Sequence, residues 1–145
     1  MTREELIALA KKIALEYSLE PALVCAVIEQ ESNWEPWGIR YEPGFYWLYE
    51  RVRDLVKGKN QTESHARSIS WGLMQIMGET ARDFGFSGHL ASLCDPQVGI
   101  RYGCRKLKHC FDKNSSVQEA LLSYNGGSDK TYPTQVLARL GRYKS

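Results

Sequence analysis

Apolar residues recur at helical spacing along most of the chain. Leu6, Leu9, Ala10, Ile13, Ala14 and Tyr17 fall three and four residues apart, as on one face of an α-helix. Thr2 followed three residues later by Glu5 is a capping-box pattern, which starts this first helix just after Thr2. Pro21 suits the first turn of a second helix, with Leu23, Val24, Val27 and Ile28 on one stripe and an end near Asn33, before Pro36 and Gly38. Phe45, Leu48, Val52 and Leu55 or Val56 predict a third helix closed by Gly58. From Lys59 to Ser70 the chain is polar, "KNQTESHARSIS", and reads as a loop. Asp95-Pro96 predicts an N-cap and first helical residue for a helix carrying Val98, Ile100, Leu107 and Cys110. Ser116 with Glu119 is a second capping box, opening a helix that stops at Gly126 and Gly127, and a last helix runs from about Pro133 to Arg142. Strand signals are confined to a few residues around "GLMQIM". The pattern therefore predicts a mostly α domain of about six to eight helices with a very small β element.

Composition refines this picture only slightly. The 145 residues fit one domain over 1–145, and 43% hydrophobic with 25% charged residues is ordinary globular usage. A net charge of +2, with Lys and Arg scattered rather than striped, weighs against a nucleic-acid partner. No apolar run approaches the roughly 20 residues needed to span a bilayer. The acidic, helical N-terminus is unlike a signal peptide, so the expectation is a soluble chain made in the cytoplasm without membrane insertion. Cys25, Cys94, Cys104 and Cys110 lack zinc-site spacing, and no metal is expected. They read as buried free thiols, with one disulfide left open; Cys104 and Cys110 are too far apart on a helix to bridge. His65, His89 and His109 read as solvated.

Candidate chemistry begins at "VIEQESNW", Val27 to Trp34. On a helix Val24, Val27 and Ile28 fall within about 60° of Glu31, whereas Glu29 lies about 160° away from it. Glu31 therefore extends the apolar stripe and Glu29 leaves it. Burial disfavours the charged form of a carboxyl, and a helix C-terminus pushes the same way, so an inward Glu31 would hold its proton and suit general-acid chemistry. The pattern alone also allows a frayed helix end with Glu31 turned to solvent. In "SISWGLMQIM", Gly72, Leu73, Met74 and Gln75 combine a flexible backbone, two apolar side chains and an amide; they read as a core strand or turn, or as a ligand wall. In "ALLSYNGG", Tyr124 and Asn125 end a helix before two glycines, either packed or exposed at a cleft rim.

In this order, "ESNW", "GLMQIMGETARDFG", "LCDPQVGIRYG" and "ALLSYNGG" resemble the soluble murein transglycosylase group of lytic transglycosylases, in the lysozyme-like superfamily. The resemblance covers about Glu20 to Tyr143, and a segment at about 38–70, with "IRYEPGFYWLYE", resembles an insertion of phage or prophage members. It implies a lysozyme-like fold and cleavage of the β-1,4 bond between N-acetylmuramic acid and N-acetylglucosamine in peptidoglycan, without metal or cofactor. It implies Glu31 as the catalytic acid and then base. It also implies that Gln75 and the backbone around Leu73 and Met74 bind N-acetyl groups, and that Tyr124 holds Glu31 through its hydroxyl, with Asn125 beside it on the substrate. Ser70 is expected as a further partner for the carboxylate, and Ser32 either caps the helix or touches substrate. The partner implied is the glycan strand at the cell wall; a monomer is the expectation, and delivery by a phage is one route to the wall.

Gly78 departs from the family's frequent proline and is expected to soften the start of the following helix; the change near Gly127 is slight. Trp34, Trp37, Tyr41, Phe45, Tyr46, Trp47 and Tyr49 form a dense aromatic group that either packs the inserted segment or stacks on sugars. Glu42 is the candidate accessory carboxylate, or a turn residue before Pro43. A second acid would allow water to attack, giving a muramidase of goose-lysozyme type. A glycan-binding or virion-structural module without turnover is the rival of another class.

Overall fold

The computed structural model of the chain describes residues 1–42, 45 and 61–144. The helix predicted over 45–56 and its stop at Gly58 lie outside the described residues, Phe45 aside, as do Tyr46, Trp47 and Tyr49. Among the described residues there are seven α-helices: α1 (Arg3–Glu16), α2 (Pro21–Ser32), α3 (Gln61–Arg67), α4 (Gly78–Asp83), α5 (Pro96–Lys113), α6 (Val117–Asn125) and α7 (Tyr132–Arg139). Short 3-10 turns follow at Leu90–Cys94 and Leu140–Arg142. Three short strands, β1 (Ile39–Tyr41), β2 (Ile69–Trp71) and β3 (Ile76–Met77), complete a mostly α domain with a small sheet.

The helix starts follow from local chemistry. Thr2 Oγ accepts the Glu5 N–H at 3.1 Å while the Glu5 carboxylate accepts the Thr2 N–H at 3.2 Å, so the capping box closes. Asp95 accepts from the Gln97 and Val98 amides at the head of α5. Ser116 caps α6 through the Glu119 N–H, but the Glu119 carboxylate takes the Ser115 hydroxyl, so only half of that expected box forms. Gly126, at φ +98°, ends α6 in the left-handed conformation that glycine adopts without cost.

The segment read as a loop from Lys59 to Ser70 contains α3. Its apolar face is meagre, and what holds it is charge: Glu63 pairs with Arg67 one turn on at 2.9 Å and with Arg82 of α4 at 2.7 Å. Burial alone would raise the Glu63 pKa, yet the hydrogen bonds from Arg82 and then Arg67 bring it down to about 2.

Two apolar clusters divide the molecule. The larger is built from α1, α2, α5, α6 and α7 with Leu73 and Met74, and α2 runs through it buried from Ala22 to Glu29. The smaller gathers Trp71, Ile76, Ala81, Leu90, Leu93 and Cys94 under the sheet. All four cysteines are buried free thiols.

The sheet is antiparallel in the order β1-β2-β3, with Arg40 opposite Ser70 and Ser70 opposite Met77. Because side chains alternate across a strand, this row shares one face, while Trp71 and Ile76 point to the small core. Arg40, Ser70 and Met77 therefore line the groove between the two clusters.

Gly78 opens α4 where α3 passes against bare backbone: a Cβ there would stand 2.4 Å from the Ala66 carbonyl oxygen and 2.8 Å from Arg67 Cα. The glycine is required by this close approach, whatever it does to the helix start. Gly78→Ala is expected to cost about 1–3 kcal/mol in urea unfolding, as overpacking does; an unchanged midpoint would show that α3 yields freely.

Candidate active site

Glu31 sits on the last turn of α2, half-buried, and the backbone turns sharply just after it. Asn33 and Trp34 both take positive φ, +49° and +66°, a conformation that costs a bulky residue energy unless tertiary contacts hold it. Trp34 is held by its indole N–H, which donates to Tyr143 Oη at 2.9 Å. The Ser32 hydroxyl lies 2.8 Å from the Leu73 carbonyl and 3.1 Å from that of Ile28, tying the helix end to the turn after β2. These contacts give Ser32 a tethering role, and it also lines a cavity beside Glu31.

Two cavities meet at this helix end. One, of about 880 Å³, lies between the sheet row of Arg40, Ser70 and Met77 and the helical wall of Lys106, Tyr124 and Asn125. The other, of about 790 Å³, runs past Gly38 and Ile39 toward Arg3, Arg139 and Arg142. Glu31 and Gln75 line both.

The Glu31 carboxylate accepts a 2.6 Å hydrogen bond from Tyr132 at the head of α7. Burial raises its pKa above the ordinary carboxyl value; the Tyr132 hydrogen bond and the charges of Lys106 and Arg40 oppose this, Glu42 adds to it, and burial prevails. A carboxyl so placed retains its proton to higher pH than a surface glutamate.

The hydroxyl on Glu31 is therefore that of Tyr132, not the expected Tyr124. Tyr124 is buried rather than exposed at a rim, and its single hydroxyl proton goes to the Met74 carbonyl at 2.7 Å. Ser70 likewise serves another partner: its hydroxyl donates to Glu42 Oε1 at 3.1 Å, and Arg40 stands 3.6 Å from the same oxygen. Glu42 lines the same cavity as Glu31.

Gln75 also has positive φ, +49°. Its side-chain nitrogen donates to the carbonyls of Gly38 at 3.0 Å and Gly72 at 2.9 Å, which commits both amide protons; the amide oxygen has no partner among the described residues. Gly72, at φ +72°, leaves no room for a side chain: a Cβ would meet the Leu93 carbonyl oxygen at 2.4 Å. Leu73 and Met74 point into the core rather than the cleft, and their carbonyls already accept from Ser32 and Tyr124. Asn125 is half-buried on the cleft wall, with its side-chain oxygen 3.4 Å from the Asp129 amide.

Glu29 does not leave the protein as periodicity predicts. It is 7% exposed, because α2 has no wet face there. Tyr143 donates to it at 2.5 Å and Arg142 at 2.7 Å, with Arg139 Nε at 2.8 Å and Arg3 at 3.6 Å. Burial would raise its pKa, but the Tyr143 and Arg142 hydrogen bonds with the arginine charges outweigh that and hold it below the ordinary value. The two glutamates thus sit in opposite electrostatic settings.

Sequence reasoning missed Tyr132 and Lys106. Tyr132 carries no local signal, since its partner is 101 residues away. Lys106 had one: it follows Gly103 by three and precedes Cys110 by four, both of them buried on α5. Trp34 is core, whereas Trp37 and Tyr41 are exposed.

Among the described residues no group of three or more His, Cys, Asp or Glu is placed to hold a metal, and no helix is long and apolar enough to cross a membrane. The family model described as Transglycosylase SLT domain matches residues 8–135. A protein of Enterobacteria phage PRD1 named "Transglycosylase" is 27% identical over 133 residues, which cover 86% of this chain and 39% of the phage protein. The chain thus spans about two fifths of that relative's length. No solved structure matches significantly.

Proposed function

The chain belongs to the transglycosylase SLT domain family, and from that premise we propose that it is a peptidoglycan lytic transglycosylase of phage type, cleaving the MurNAc-β-1,4-GlcNAc bond with Glu31 as its acid and base. The observation that carries this reading is one carboxyl, its pKa raised by burial, on the wall common to two cavities. A strand laid along both would present one glycosidic linkage to it.

In this mechanism the Glu31 proton passes to the glycosidic oxygen as the bond to the anomeric carbon breaks, and the sugar's own N-acetyl carbonyl supports the positive charge. The carboxylate then takes the proton of the C6 hydroxyl as that oxygen attacks, leaving a 1,6-anhydromuramoyl end. Attack from within the same sugar needs no activated water, because the nucleophile is already close. Tyr132 orients the carboxyl. Gln75 offers its amide oxygen to an N-acetyl N–H, and Asn125 offers its amide on the opposite wall. Leu73 and Met74 act through the backbone turn that Ser32 and Tyr124 hold in place. The protein works as a monomer on glycan strands at the cell wall.

Glu42 supports a second reading. Fixed by Ser70 and Arg40 on the same cavity, it is a second carboxylate able to direct water to the anomeric carbon, as in a muramidase. Mass spectrometry of muropeptides released from purified walls separates the two. Anhydro ends, one water lighter and not reducible by borohydride, are expected from both wild type and Glu42→Gln. Reducible ends that vanish in Glu42→Gln would establish the hydrolase instead.

A further inference from the structure

We propose that Lys106 is the fixed counter-charge of Glu31, a positioning residue that supports the carboxylate formed when Glu31 gives up its proton; the proposal rests on the reading of Glu31 above. Lys106 is half-buried beside the buried Gly103, Leu107 and Cys110 of α5 and lines the same cavity as Glu31, outside ion-pair contact with it. Its ammonium donates to the Tyr124 carbonyl at 2.8 Å and stands 4.3 Å from the centre of the Tyr124 ring. That carbonyl belongs to the last turn of α6, where the helix carries partial negative charge, and the ring face adds a cation–π contact. The lysine is thus tethered by one residue on its own side of the cleft, and among the described residues two of its three N–H groups are left over.

Placing an ammonium there is costly. Burial lowers the Lys106 pKa, and Cys110 and Glu31 push back only in part. An apolar residue of similar length would pack at lower cost, so stability does not account for the lysine. Among the described residues, the other charged and hydroxyl groups around Glu31 do not replace it. Tyr132 is a neutral donor, Tyr124 is committed to Met74, and Arg40 is 75% exposed and paired with Glu42, which carries the opposite charge. Of the two described cations that act on Glu31, Lys106 is set deeper in protein than Arg40, where water screens it less.

The effect is differential. While Glu31 holds its proton, Lys106 faces a neutral carboxyl and gains little. Once the proton has moved to the glycosidic oxygen, it faces a full carboxylate, so it stabilises the later state more than the earlier one. Lys106 keeps all its own protons throughout.

The test compares Lys106→Met with Lys106→Arg in the full chain. Kinetics on soluble glycan across pH are read beside a carbon-13 NMR titration of the Glu31 carboxyl. Lys106→Met should lower kcat about 10- to 100-fold, leave KM within about twofold, and move both the alkaline limb of the profile and the Glu31 midpoint to higher pH. Lys106→Arg should restore the midpoint and most of kcat. An unmoved midpoint in Lys106→Met, or an equal fall in kcat for Lys106→Arg, would make the lysine merely structural, and a change in KM alone would make it a substrate contact; each overturns the proposal. If Lys106→Met fails to fold, Lys106→Gln is read in the same way. The titration needs no turnover. A moved midpoint in a protein whose wild type cleaves no wall would uphold the counter-charge and reject the transglycosylase reading.

Discussion

Glu31→Gln is expected to slow the clearing of purified cell walls about 10²- to 10⁴-fold, the range that positioned proton transfer contributes, while the folded protein stays as stable or becomes slightly more so. Glutamine keeps the shape of the side chain and can still accept the Tyr132 hydrogen bond, but it can neither give nor take the proton. The stability expectation follows from the raised pKa of Glu31. A carboxyl whose folded pKa exceeds its unfolded one favours the folded state fully below the unfolded pKa, and that contribution disappears as pH rises through the folded pKa. Glutamine has no such dependence, so any gain in melting temperature should be larger at pH 8 than at pH 5. Wild-type activity should fall on the alkaline side as Glu31 loses its proton. Turbidity assays paired with thermal melts at both pH values check the set. Clearing by the variant at the wild-type rate would remove Glu31 from the chemistry.

What the sequence disclosed and what it hid separate by range of interaction. The start of α1 at Thr2, of α2 at Pro21 and of α5 at Asp95 were legible, because each depends on residues within one turn of itself. β1 was not, since Ile39, Arg40 and Tyr41 are all exposed on an edge and so show no alternation. α3 was not, because Arg82, fifteen residues beyond its last residue, secures Glu63. The same limit governs the site. Periodicity placed Glu31 on an apolar stripe, but it assumes a helix with one wet face. α2 is covered all round, so the inference that Glu29 faces water fails. Hydroxyl partners were exchanged for a related reason: Tyr124 and Tyr132 reach the same region from α6 and α7, and only their three-dimensional placement decides which donates to Glu31 and which to Met74.

The backbone around the site adds a second constraint. Non-glycine residues with positive φ occur at Asn33 and Trp34 after Glu31, and at Gln75 in the facing turn. Two of the three are held by a bond from another part of the chain: Trp34 by Tyr143, and Gln75 by the carbonyl of Gly38. The helix end and the turn that line both cavities therefore depend on tertiary contacts rather than on local preference. Among those contacts, the one through Tyr143 leads directly to Glu29.

Glu29→Ala should give the opposite result to Glu31→Gln. Activity per folded molecule is expected to stay near wild type, while stability falls by about 2–4 kcal/mol and the melting temperature by about 10 °C. Removing the carboxylate strips the acceptor from Tyr143 and leaves Arg3, Arg139 and Arg142 crowded without their counter-charge. Arg142 and Arg3 are 67% and 51% exposed, so water relieves part of that repulsion and the loss stays moderate. The pH dependence runs opposite to that of Glu31. The depressed pKa of Glu29 means its contribution is present above the unfolded value and is lost as pH falls through the folded one. Wild type and variant should therefore differ most near pH 7 and converge in acid, which urea unfolding at pH 7 and pH 3 resolves. Equal midpoints at pH 7 would mean that the arginines find other partners. A loss of activity beyond the unfolded fraction would mean that Tyr143, by way of Trp34, sets the position of Glu31 more tightly than its own hydrogen bond from Tyr132 does.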